Sequence, residues 1–160
     1  MKNLVSISLA AILSVGAMSA VAAVAKSEAE AKTAVEARSA HFKELGKTMG
    51  PIGDMLRKKI PFDAAVVTAN SAKIQELAPK IPALFDTDTR PFHASLKTEA
   101  LDGIWNSQAD FKAKADDLAK AAAALNAAAK TGDQGETLKA AGGVGKACGS
   151  CHDSYRVKKQ

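Results

Sequence analysis

The chain has 160 residues and a formal net charge of +5 at pH 7, from 22 Lys and Arg against 17 Asp and Glu. This basic excess is modest and spread along the chain, without a Lys/Arg block interleaved with aromatic residues, which excludes nucleic acid as the partner. The length suits one domain with a single hydrophobic core.

The N-terminus has the features of an export signal. A short positive start is followed by an apolar run from Leu4 to Ala25, which ends in two A-x-A sites. The run is about long enough to span a membrane, so an anchor is the alternative. The small residues at its end and the abrupt switch to Lys26 favour a signal peptide over residues 1–25, with cleavage after Ala22 or Ala25. We therefore expect a periplasmic protein, a single domain over residues 26–160, and no membrane association after cleavage.

The first predicted helix begins at about Ser27, and its inner positions alternate three and four residues apart, as in a helical bundle. Gly50-Pro51 interrupts this helix, and we expect a kink there rather than an end. One inner position, Arg38, is charged and needs a partner if it is buried. The inner stripe consists of Val35, Arg38, Phe42, Leu45, Met49, Ile52 and Leu56.

Three more amphipathic helices follow. The second is predicted over Asp63 to Ala78, the third over about Glu99 to Lys130, and the fourth from Asp133 nearly to the end. A long irregular connection, from Pro79 to about Lys97, separates the second and third helices. A connection of this length usually carries function or wraps a neighbouring element.

The last predicted helix contains Cys148-Gly149-Ser150-Cys151-His152. C-x-x-C-H is the attachment signature of c-type haem, in which both thiols form thioethers and the histidine is the proximal iron ligand. A thioredoxin-like redox pair would need a βαβ context, which the surrounding sequence lacks. A structural zinc site needs four ligands, and only the distant His41 and His93 remain to help. The motif therefore predicts one haem c, held by Cys148 and Cys151, with His152 on the iron.

The position of the motif predicts where the haem lies. Cys148 and His152 are four residues apart on the inward face of the helix, so the haem should lie inside the bundle. Glycines at positions 142, 143 and 145 precede the motif, and they allow either close approach of a flat ligand or a simple break in the helix. Arg38 likewise has two interpretations: a bond to a haem propionate, or a place at the stripe edge with its head in water.

Taken together, these residues resemble the cytochrome c′ family, the class II c-type cytochromes, over essentially the whole mature chain. The resemblance rests on the C-terminal C-x-x-C-H with the following Tyr155-Arg156, on Arg38, on the turn at 61–65, on Ile104-Trp105 and on Phe111. It implies an all-α fold, an antiparallel up-down-up-down four-helix bundle with the haem inside near the C-terminal helix.

The resemblance also implies residue roles. Arg38 would meet a propionate, Ser39 would occupy the next haem-contact position, and Phe42 would take the distal position. Glu99 would be a polar haem contact before the third helix, and Arg156 would lie near the proximal side of His152. Family members commonly form homodimers through the first two helices.

The distal side decides the expected function. Phe42 stands where low-spin relatives carry methionine, and phenylalanine offers iron no lone pair. We expect a five-coordinate, high-spin haem that transfers single electrons or binds NO or CO, with redox proteins as further partners. The alternative is a six-coordinate low-spin electron carrier, with Met49 or a histidine as the sixth ligand. A peroxidase would need a distal acid–base group, and His41 has the wrong helical phase, so we expect no enzymatic activity.

Overall fold

The computed structural model describes residues 22–158, and most of them are helical. The predicted signal peptide before Ala22 lies outside the described residues. The helices are α1 (Glu28–Leu56), α2 (Ala64–Leu77), α3 (Gly103–Asn106), α4 (Gln108–Thr131) and α5 (Gln134–Tyr155). Two short strands are present, β1 (Ala23–Val24) and β2 (Thr87–Asp88).

The four long helices form a bundle, which confirms the predicted all-α fold. Helix α4 packs against both α2 and α5, and α1 packs against α2 and α5. The core between them is filled by aliphatic and aromatic side chains, including Ile52, Val67, Ile74, Phe111, Leu125 and Val144. Within residues 22–158, no helix is sufficiently long and apolar to span a membrane.

Local signals set most helix ends. Ser27, Asp63 and Asp133 are the N-cap residues of α1, α2 and α5, and each side chain accepts hydrogen bonds from main-chain N–H groups of the first turn. Gly132 ends α4 in the left-handed conformation, with a φ of 79°, which glycine adopts without strain. Helix α1 continues through Pro51, so the interruption at 50–51 is not an end, as predicted.

The predicted start of the third helix, at about Glu99, is wrong. Residues 99–102 are not helical, because Leu101 N–H donates to the Tyr155 carbonyl (3.0 Å) and Val157 N–H donates to the Glu99 carbonyl (2.8 Å). This short antiparallel bridge ties the end of α5 to the segment before α3. Ser107 then separates the single turn of α3 from α4.

The long connection between α2 and α3 is ordered by tertiary contacts. It contains three short 3₁₀ turns and β2, which pairs in parallel with β1 at the start of the described chain. Ala23 N–H donates to the Asp86 carbonyl (2.8 Å), and Ala25 N–H donates to the Asp88 carbonyl (2.9 Å). Ala25 is buried. The sequence did not predict this strand pairing.

Candidate functional site

One cavity of about 890 Å³ opens between α1, α4, α5 and the segment before α3. This volume lies within the range of small-molecule and cofactor pockets. All eight candidate residues from the sequence line it, namely Arg38, Ser39, Phe42, Glu99, Cys148, Cys151, His152 and Arg156. The fold thus brings together side chains that lie more than 100 residues apart.

Helix α5 forms the wall that carries the C-x-x-C-H motif. Cys148 and Cys151 are free thiols and half-buried, and burial raises the pKa of both. Burial lowers the pKa of His152, and the nearby positive charge of Arg156 lowers it further. At neutral pH the imidazole is therefore uncharged, which is the form that ligates a metal.

Helix α1 forms the facing wall with the predicted stripe. Phe42, Leu45 and Met49 line the cavity, and the Phe42 ring packs 6.3 Å from the Phe85 ring between centroids. His41 is not among the lining residues, and its Nε2 lies 3.2 Å from the Leu77 carbonyl oxygen. The predicted off-stripe orientation of His41 is therefore confirmed.

The three glycines before the motif differ in position. Gly145 lines the cavity, whereas Gly142 and Gly143 do not, and all three are exposed. A Cβ added at any of them would meet nothing within 4 Å in the described protein. Of these three glycines, Gly145 is therefore the one at which a flat ligand in the cavity could approach the helix backbone closely.

Arg38 is buried, with 4% of its surface exposed, so a guanidinium head in water is the wrong interpretation. Its Nε donates to the Leu84 carbonyl (2.8 Å), its Nη1 to Thr89 Oγ1 (2.9 Å) and its Nη2 to the Thr87 carbonyl (2.5 Å). The guanidinium also lies 4.4 Å from the centre of the Phe85 ring. Burial lowers the pKa of Arg38 to about 10, so the side chain stays charged at neutral pH.

The partners of Arg38 were not identified from the sequence. They all lie in the connection between α2 and α3, of which only the unusual length was a signal. Trp105 holds the same connection from the other side, because its Nε1 donates to the Phe85 carbonyl (3.1 Å). The connection therefore wraps α1 and fixes Arg38 at the cavity wall.

The residues that line the cavity fit a haem. The two thiols and the imidazole share one wall, and the remaining wall is largely apolar. Charged side chains at the cavity include one acid, Glu99, whose carboxylate lies 3.7 Å from Arg156 Nε. Basic side chains predominate, which suits the two carboxylates of a haem; they are Arg38, Lys43, Arg57, Lys97, Lys114 and Arg156.

The other two interpretations of the cysteine pair gain no support. Within residues 22–158, no group of three or more His, Cys, Asp or Glu side chains could hold a metal ion. The strands of the same range are two residues long, and the helices that connect them are α1 and α2, not the cysteine-bearing α5. Neither the zinc site nor the thioredoxin-like pair has its required context.

Comparison with known proteins identifies the family. The family model for cytochrome c′ matches residues 33–156. A cytochrome c′ of Rhodopseudomonas palustris is 44% identical over 124 residues, which cover 76% of this chain and 80% of that protein.

Solved structures give the same result. A cytochrome c′ from Rhodobacter sphaeroides superposes with a TM-score of 0.71 at 34% identity, covering 81% of this chain and 98% of that one. A variant of cytochrome c′ from Alcaligenes xylosoxidans, solved as a nitric oxide complex, superposes with a TM-score of 0.67 at 29% identity, covering 81% and 97%. The chain therefore belongs to the cytochrome c′ family of c-type haem proteins.

Proposed function

We propose that this protein is a periplasmic monohaem cytochrome that transfers single electrons and binds small gases such as NO and CO at a five-coordinate, high-spin haem c. One observation carries the proposal: both thiols and the imidazole of the C-x-x-C-H motif line the same cavity as Phe42. When bound, haem supplies an iron that exchanges one electron and takes a diatomic ligand.

The side chains of the cavity have distinct proposed roles. Cys148 and Cys151 hold the group covalently, and His152 presents a neutral imidazole as the proximal ligand. Phe42 covers the distal side with a ring that cannot ligate iron and that excludes water. Arg38 places a fixed positive charge at the cavity wall, where a propionate can accept from its remaining N–H groups.

The distal side favours gas binding over acid–base chemistry. Apolar side chains offer a small neutral ligand room without offering a proton donor. His41, the histidine considered for a peroxidase role, faces the Leu77 carbonyl outside the cavity lining. The nitric oxide complex of the Alcaligenes relative supports NO as a ligand of this protein.

The proposed location follows from the family, which is periplasmic in bacteria, and from the predicted signal peptide. The pairing of β1 with β2 supports cleavage after Ala22, because cleavage after Ala25 would remove Ala23 and Val24 from the folded domain.

The proposed partners follow from the cavity rim and from the resemblance. The exposed Lys43 and Lys97 lie at the cavity, which suits an electron-transfer protein with an acidic docking surface. The homodimer through α1 and α2 stays a prediction.

Covalent haem attachment is tested by extraction with acidified acetone. We expect the haem absorbance to stay with the exported protein, because two thioether bonds hold it. The variant with both Cys148→Ser and Cys151→Ser is the control and should release any haem into the solvent. Colour that leaves the wild-type protein would contradict covalent attachment.

The proposed role of Phe42 is tested by optical spectra of the ferric and ferrous protein. The wild-type spectra should be high-spin, and Phe42→Ala should bind CO faster, because the ring no longer crowds the vacant position. Phe42→Met should give a low-spin spectrum, whereas Leu45→Met on the same wall should remain high-spin. A wild-type ferrous protein that is low-spin without added ligand would instead favour the six-coordinate electron carrier, with Met49 as a candidate ligand.

The role of Arg38 is tested with Arg38→Leu and, as the control on the same helix, Lys47→Leu. Arg38→Leu should lower the reduction potential, because the lost positive charge had favoured the reduced state. It should also lower the free energy of unfolding in urea by at least about 2 kcal/mol, since buried acceptors lose their donors. Lys47 is exposed and lies outside the cavity lining, so its replacement should change this free energy by less than about 0.5 kcal/mol. Equal effects of the two substitutions would contradict a special role for Arg38.

The processing site is tested by the intact mass of the exported holoprotein. We expect a mature chain that begins at Ala23, because β1 belongs to the fold. A mass that corresponds to a chain beginning at Lys26 would contradict this assignment.

A further inference from the structure

A buried hydroxyl connects Arg38 to a histidine outside the cavity. Thr89 is fully buried, and its Oγ1 lies 2.9 Å from Arg38 Nη1 and 3.2 Å from His93 Nε2. On its other side, His93 Nδ1 lies 3.5 Å from Asp102 Oδ1. We infer that Thr89 and His93 are positioning residues for Arg38, and that protonation of His93 is transmitted through Thr89 to the haem site. This inference rests on the proposed function, in which Arg38 supports the haem.

Hydrogen-bond chemistry fixes the direction at Arg38, and the need of the buried hydroxyl hydrogen for an acceptor gives the direction at His93. A guanidinium can only donate, so Thr89 Oγ1 accepts from Arg38. The hydroxyl then has one hydrogen left, and His93 Nε2 is the neighbour that can accept it. This arrangement requires the neutral histidine tautomer with its proton on Nδ1, and that nitrogen faces Asp102.

Protonation of His93 breaks this arrangement. Once Nε2 carries a proton it becomes a donor, and Thr89 Oγ1 must accept from both Arg38 and His93. The hydroxyl hydrogen then loses its acceptor at a position that water does not reach, since Thr89 is 0% exposed. A second positive charge also lies two hydrogen bonds from the guanidinium. Both effects act on Arg38, and an added positive charge near the haem favours the reduced state.

Two carboxylates, those of Asp88 and Asp102, and the Trp105 ring also lie beside His93. Asp88 is engaged by Arg90, whose Nε lies 3.0 Å and 2.9 Å from its two carboxylate oxygens. Asp102 is 68% exposed at its side chain, so water screens it. Trp105 contributes an uncharged ring, 5.6 Å from the His93 ring between centroids. The buried carboxylate of Asp88 interacts electrostatically with both His93 and Arg38. Arg38 is the charged group that a hydrogen bond through Thr89 joins to His93.

The Thr89–His93–Asp102 order also resembles that of a hydrolase triad. That interpretation fails, because a nucleophile must reach its substrate and Thr89 is completely buried and already bonded to Arg38. The arrangement suits a structural relay and not catalysis.

The first experiment measures the reduction potential of the holoprotein between pH 5 and 8, where histidine titrates. In the wild type, the potential should rise as the pH falls. His93→Gln should remove the component of this slope that His93 contributes, Thr89→Val should diminish it, and Thr89→Ser should restore it. His41→Gln is the matched control: His41 bonds with the Leu77 carbonyl and not with Thr89, so its replacement should change the slope less than His93→Gln does. An identical slope in the wild type and in His93→Gln would overturn the inference.

The second experiment does not depend on haem chemistry. The NMR resonance of the Arg38 Nε–H group should shift with the titration of the His93 ring in the wild type, and should lose this shift in His93→Gln and in Thr89→Val. A protein without a haem redox signal would refute the proposed function. The response of the Arg38 resonance would still show whether protonation of His93 is transmitted to Arg38. A resonance that does not respond to the His93 titration would overturn the relay even in a protein with intact haem.

Discussion

A guanidinium buried in an apolar bundle is the constraint on which the rest of this site depends. Removing a charge from water is unfavourable unless hydrogen bonds replace the lost hydration. Helix α1 cannot provide those bonds at Arg38, because its main-chain carbonyls are used within the helix. The connection between α2 and α3 provides them instead, with two carbonyl oxygens and one hydroxyl. Its path across α1 is therefore tied to one side chain, and the same path closes one end of the cavity.

This constraint explains how a bundle keeps a large cavity beside a packed core. Below the cavity, α2 and α4 meet through ordinary apolar packing, with one polar contact in which Asn126 Nδ2 donates to the Thr68 carbonyl (2.8 Å) and to Ser71 Oγ (3.0 Å). At the cavity, α1 and α5 are held apart, and the aromatic rings of Phe85, Trp105 and Phe111 fill the space behind Arg38. The Arg38 guanidinium therefore lies over the rings of Phe85 and Trp105, and it lines the same cavity as the C-x-x-C-H motif.

Short-range signals predicted the helices well. Caps such as Ser27 and Asp133, and the three-and-four spacing of the apolar residues, act within one or two turns and can be read from neighbouring residues. The start of the third helix could not be predicted this way, because residues 99–102 are held by main-chain bonds to the far end of the chain. The β1–β2 pair also cannot be predicted from neighbouring residues, because it joins segments more than 60 residues apart. Likewise, the motif and the α1 stripe predicted part of the cavity lining, and the family resemblance added Ser39, Glu99 and Arg156. Thr89 gains its role only through the path of the connection.

The burial of the two cysteines has a consequence for the order of maturation. The thiolate is the reactive form of cysteine, and folding raises the pKa of both Cys148 and Cys151. At a given pH, each sulfur is therefore less ionised in the closed bundle than in the extended chain. For the proposed thioether attachment, we expect the reaction to be easier before α1 and the α2–α3 connection cover α5. A haem attached to α5 at that stage would be in place before the first helix closes over it.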